Sequence, residues 1–233
     1  MKVVNNNKLI KRNKKISQAV LYLSLALLVL GLIWSLTSPD VTQMQFAYLI
    51  LIPAYILVQV SIYMANRWGR SPRPDEIVAQ SLKGLPDQYT LYNYSAGVPH
   101  LLVGPAGLWI IKPYYHSGEI FYDPQKNRFK QKGGPFFLAK LFAQESIPDI
   151  LGESRTLLRQ FNTFVKKNGL DIDIKPSFAN IFYSEKADVN GRHAPEPTMH
   201  AEKLKEFIRR QAKQKTLSPE TIKKITSQLP QLD

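Results

Sequence analysis

VPHLLVGPAGLWIIKPYYHSGEI, Val98 to Ile120, is the stretch on which the fold turns. Two short apolar runs, VPHLLVG and GLWIIK, flank Gly104-Pro105-Ala106-Gly107. Runs of this length, rich in branched and aromatic residues and split by Gly and Pro, read as two buried strands around a turn. The second run does not stay apolar. It passes into Lys112, Pro113 and Tyr114, and the question is what a cation does at the end of a buried strand.

Working outward, QYTLYNY (88–94) alternates and reads as a further strand. Upstream, SPRPDEIVAQSLKGLP predicts a helix: Pro74 suits a first turn, Asp75 and Glu76 complement the dipole, and Ile77, Val78, Leu82 and Leu85 share one side. Downstream, GEIFYD and RFKQ with PQKN between them form a hairpin. Ile150 to Asn168 carries a stripe of Leu157, Leu158, Phe161, Phe164 and Val165 before Gly169, which is a helix and its stop. Ile174–Tyr183 is a strand and 188–197 a polar loop. Two helices follow, one over 199–213 and one opening on Ser218 as N-cap with Pro219 behind it. This order implies an α/β domain around a mixed sheet. Residues 133–150, beginning GGPFFLAKLFAQ, fit either a segment packed on the sheet or a membrane-surface helix.

The N-terminal third is different. Ile16–Thr37 has no charge, and its 22 residues reach roughly 33 Å as a helix, enough to cross a bilayer core. Phe46–Ala65 is a second uncharged run, interrupted by Pro53. Tyr22, Trp34, Tyr63 and Trp68 stand where interfacial aromatics belong. Six basic and no acidic residues fall within 1–15, and Arg67, Arg70 and Arg73 follow the second run. The positive-inside rule then expects a two-pass cell-membrane protein with both termini and the soluble domain in the cytoplasm. Four parts result: a basic tail (1–15), a transmembrane hairpin (16–65), a linker (66–72) and the α/β domain (73–232).

Net charge is +13, and 25 basic against 17 acidic groups lie beyond residue 65. There is no cysteine, which excludes disulfides, thiolate metal sites and cysteine nucleophiles. No GxxxxGK[ST], HExxH or GxSxG motif is present.

The soluble part resembles the NERD (nuclease-related domain) family, of the PD-(D/E)xK, restriction-endonuclease-like group. The matching residues are Glu76 with Leu82 and Leu85, HLLVGPAGLWII (100–111), Gly118 with Ile120, and LSPETIKKITSQL (217–229). The resemblance covers about 72–232. It implies that the two transmembrane helices read from hydropathy are followed by a restriction-endonuclease-like mixed sheet flanked by helices. It also implies a metal site: an aspartate before the first strand's histidine, then Glu-x-Lys at the end of the second. Two carboxylates would hold Mg²⁺ and the lysine would steady the attacking water. Here those positions are Pro99, Lys112 and Tyr114, so all three groups are gone and Glu76 is the remnant.

The expectation is therefore a pseudoenzyme, with no catalytic residue, no metal and no cofactor, that binds a partner or acts as a scaffold at the membrane. The alternatives are nucleic-acid binding, or a metal nuclease with a migrated site that would need Mg²⁺. Binding candidates are Arg128, Lys130 and Lys132 for phosphate, and Tyr114, Tyr115 and His116 as exposed aromatics for a protein partner. The lipid bilayer is the remaining partner.

Overall fold

The computed structural model describes residues 1–37, 40–133, 147–214 and 216–231. The two readings of 133–150 fall mostly on residues outside that set. The chain divides into two compact units: Asn7–Arg73 is one, and Met1–Asn6 joins the residues from Pro74 onward in the other.

In the first unit α1 (Asn7–Thr37) and α2 (Val41–Met64) form a hairpin, and α2 runs on through Pro53 into a π-helical turn, Ala65–Gly69. Both helices are long and apolar enough to cross a membrane. Only 11% and 17% of their most apolar windows are buried. Apart from Ile10 and Trp68, what is buried is small or polar. Ser17, Ser24 and Gly31 recur every seventh residue on α1, and Ala47, Ala54 and Ser61 do the same on α2. Leu23, Leu30, Leu49 and Ile56 face outward. A Cβ on Gly31 would lie 2.7 Å from Leu51 Cδ2, so glycine leaves the room that the Leu51 side chain fills. A small-residue seam with large apolar side chains outside inverts the soluble pattern and matches helix pairing in lipid. Trp68, taken from sequence as an interfacial aromatic, is buried at the end of the α2 series.

The second unit is α/β. Its main sheet has the order β1-β2-β3-β4-β7-β9: Lys2–Asn5, Thr90–Asn93, His100–Gly104, Gly107–Tyr114, Ser177–Phe182 and Thr198–His200. β2-β3-β4 are antiparallel, and β1, β7 and β9 add in parallel. The quoted stretch is β3, its turn and β4, both strands almost wholly buried as expected. A three-stranded sheet, β6-β5-β8, carries β5 (Gly118–Asp123), β6 (Arg128–Lys132) and β8 (Ala187–Asn190).

Alternation along β4 sends side chains to two faces. Trp109 and Ile111 meet α3 (Pro74–Ser81) and α5 (Leu204–Gln214) through Val78, Leu82, Leu204 and Ile208. Leu108 and Ile110 meet α4 (Ile150–Lys167) and α6 (Pro219–Gln228) through Leu157, Phe161 and Ile225. The mixed sheet with flanking helices is as expected, down to Ser218 accepting from Thr221 N at the start of α6.

Three expectations need correction. Residues 1–15 are not a tail. Lys2–Asn5 is an edge strand, and α1 starts at Asn7. Val4 is 1% exposed, and the strand is held by Lys2 N to Tyr89 O and Asn6 N to Asn93 O. The polar loop 188–197 is bounded by β8 and β9 rather than being unstructured throughout. Residues 199–200 belong to β9, so the next helix begins with a 3₁₀ turn at Ala201 and becomes α5 at Leu204.

Candidate functional site

β4 outruns its neighbour. β3 pairs with it only from Leu101↔Ile110 to Gly104↔Gly107, so Lys112–Tyr114 pair with β7 alone. Pro113, which has no N–H to give, sits where one side of the strand already lacks a partner. By alternation Lys112 and Tyr114 continue the face of Leu108 and Ile110, the face covered by α4. Register then aligns Lys112, Asn180 and Thr198 across β4, β7 and β9.

Lys112 is 3% exposed. Its ammonium donates to Ile150 O at 2.8 Å, to Ser154 Oγ, and to Glu196 Oε2 at 3.1 Å. That uses all three of its hydrogens. Glu196 Oε2 also accepts from Asn180 Nδ2 at 3.2 Å and lies 2.9 Å from Ser154 Oγ. Asn180 Nδ2 reaches Thr198 Oγ1 at 3.1 Å, and that hydroxyl donates to Glu196 O. Tyr114, also buried, donates its hydroxyl to Glu153 Oε2 at 2.5 Å. Burial pulls the Lys112 ammonium below the usual lysine value, against the opposing pull of Glu196. For Tyr114, burial and then the Glu153 carboxylate push the phenol upward, away from ionisation.

Acids do gather at this strand end. Glu196, Glu153 and Asp149 all act on Lys112. Each is already engaged: Glu196 by the ammonium, Glu153 by Tyr114, and Asp149 by Gly152 N, which it caps at 3.0 Å. Among the described residues no group of three or more His, Asp or Glu is arranged to hold a metal. The donor set does not fit Mg²⁺. A fixed cation stands among the carboxylates, and two unit charges of like sign at about 4 Å repel by roughly 4 kcal/mol at an effective dielectric of 20.

The other sequence candidates are scattered. Pro99 precedes β3 and its carbonyl accepts from Tyr94 N at 2.8 Å. Glu76 stands in the first turn of α3, on the helix packed against the opposite sheet face. His100 is a core residue: Nδ1 donates to Asn93 Oδ1, and Asn93 Nδ2 donates to Asn5 Oδ1, both at 2.8 Å. That ladder ties β1, β2 and β3 in register. Of the three aromatics expected to be exposed, only Tyr115 is, at 59%. Tyr114 and His116 are buried, with His116 against Tyr114 and Phe182. Apolar surroundings claimed two of the three rings. Arg128, Lys130 and Lys132 share one face of β6, but across from them on β5 stand Asp123, Phe121 and Glu119. Lys130 is paired to Asp123 at 2.5 Å. Within the row, Lys130 is thus neutralised from its own sheet, while Arg128 makes no ion pair among the described residues.

Glu196, Ser154, Asn180 and Glu153 were missed from sequence. The one available signal was Lys112 itself: a lysine in a buried strand requires a carboxylate.

Four tyrosines outside the hairpin, Tyr89, Tyr92, Tyr114 and Tyr183, are held above their ordinary value, chiefly by burial. The folded state therefore keeps protons that the unfolded chain releases above about pH 10. Stability is fully present below that point and falls as pH rises beyond it. Lys112 works in the opposite direction between its lowered value and the ordinary lysine range. With four groups against one, the urea midpoint should drop from pH 9 to pH 11, and Tyr114→Phe should shallow that drop. An unchanged midpoint would contradict the burial of these phenols.

No family model, curated protein or solved structure matches this chain.

Proposed function

We propose that the chain is a membrane-anchored, NERD-like domain in which an internal ammonium has replaced the catalytic metal, leaving a binding or scaffold module in place of a nuclease. The single observation that carries this is the placement of Lys112: buried, all donors used, and closed over by the first turns of α4 through Ile150 and Ser154. A phosphodiester needs access to the metal-binding strand end, and here helix side chains fill it. The strand–GPAG–strand hairpin, the parallel addition of β7 and the covering helix α4 support the nuclease-like ancestry.

Anchoring is supported by the inverted burial of the α1–α2 hairpin. Chain connectivity adds a constraint on topology. β1 and β2 lie in one sheet, and the hairpin is inserted between them. If the hairpin crosses the bilayer, its two ends emerge on the same side. The basic residues at both ends make that side the cytoplasm.

The detergent-solubilised full chain, given Mg²⁺ or Mn²⁺, should leave single- and double-stranded DNA and RNA intact. Cutting that disappears on chelation would refute the loss of catalysis. Resistance to alkaline carbonate extraction tests the anchor separately.

A further inference from the structure

A groove of about 650 Å³ opens between β6 and the start of α4, in the α/β unit. Its rim carries Lys126, Arg128 and Arg155, all exposed. None of these three side chains makes an ion pair among the described residues, in contrast to Lys130, which Asp123 neutralises. Among the described residues that line it the one acid is Asp149, and its Oδ1 accepts from Gly152 N at the helix start. Phe129 and Ile150 form an apolar, buried floor. Three cations without an ion pair among the described residues, over an apolar base and in a volume suited to one small ligand, select a compact anion with an apolar attachment.

A nucleic-acid strand fits less well. Stacking needs an exposed ring, and Phe129 is 7% exposed. A backbone track needs cations in series, and of the β6 residues that would extend it Lys130 is paired to Asp123 and Lys132 stands across from Glu119. We propose that this groove binds the phosphate headgroup of an anionic phospholipid, with Lys126, Arg128 and Arg155 as its contacts. The inference rests on the membrane reading above and adds a lipid preference to it.

The test uses the full chain in nanodiscs of phosphatidylcholine, with or without phosphatidylglycerol. Amine acylation at Lys126 is compared by mass spectrometry with that at Lys223, an exposed lysine on α6. Phosphatidylglycerol should slow Lys126 relative to Lys223 by about fivefold. The R128Q/R155Q variant, whose changes are at exposed positions, should lose that protection while keeping its far-UV spectrum. Equal rates in both lipids, or protection that survives in R128Q/R155Q, would overturn the proposal. So would protection by duplex DNA or inorganic phosphate in phosphatidylcholine discs that equals the effect of phosphatidylglycerol. Failure of the chain to enter any nanodisc would instead count against the anchor.

Discussion

Lys112→Met should lower the stability of the α/β unit by about 3–5 kcal/mol, the usual cost of removing one partner from a buried ion pair. In a chain of this size that is a fall of about 10 °C in Tm, measurable by circular dichroism in detergent. Methionine fits the space of the lysine stem and costs little packing. The loss comes from what is left behind: among the described residues Glu196 Oε2 keeps Asn180 and Ser154, and Ile150 O loses its charged donor. Replacing Glu196 by Gln as well should recover much of the loss, since the stranded charge is then gone. Lys112→Glu is a sharper variant. It places a carboxylate beside Glu196, and the protein should be destabilised without metal and partly rescued by Mn²⁺, because the strand end is then a carboxylate pair. A Lys112→Met protein as stable as the parent would mean that the ammonium is solvated, and the proposed metal replacement would fail with it.

The fold was legible where its signals are local. The hairpin around Gly104–Gly107 is encoded in adjacent residues, as are the Leu157–Phe161 stripe and the Ser218–Pro219 cap. The two apolar runs announce themselves by length, although the seven-residue recurrence of Ser17, Ser24 and Gly31 went unread beneath their leucines. What stayed hidden depends on distant partners. Lys112 meets Glu196 across 84 positions of sequence, and no motif joins them. β8 and β9 are only four and three residues long, too short for alternation to show above a polar background. Tyr115 is exposed as expected, but Tyr114 and His116 misled because they were placed beyond the strand, whereas Tyr114 ends β4 and both rings pack against Phe182.

The N-terminal strand gives the largest contrast between the two views, and Val4→Asp tests it. Were residues 1–15 a solvated basic tail, an aspartate at position 4 would cost nothing beyond one unit of charge. In the folded sheet Val4 is 1% exposed and packs with Tyr92, Leu101 and Phe161. Asparagines 5 and 93 hold the strand in register just beyond it. A carboxylate there has no cation to pair with among the residues of that cluster and must either ionise in an apolar layer or peel the strand away. The expected cost is about 4–5 kcal/mol or more, which places Val4→Asp among the most damaging single substitutions in the chain. Val4→Ala, which removes two methyl groups and adds no charge, should cost about 1–2 kcal/mol and keep the strand docked. The two variants together distinguish a sheet strand from a tail. Indifference to both would return the first fifteen residues to solvent and remove the chain-connectivity reason for placing the two ends of the helical hairpin on one side of the membrane.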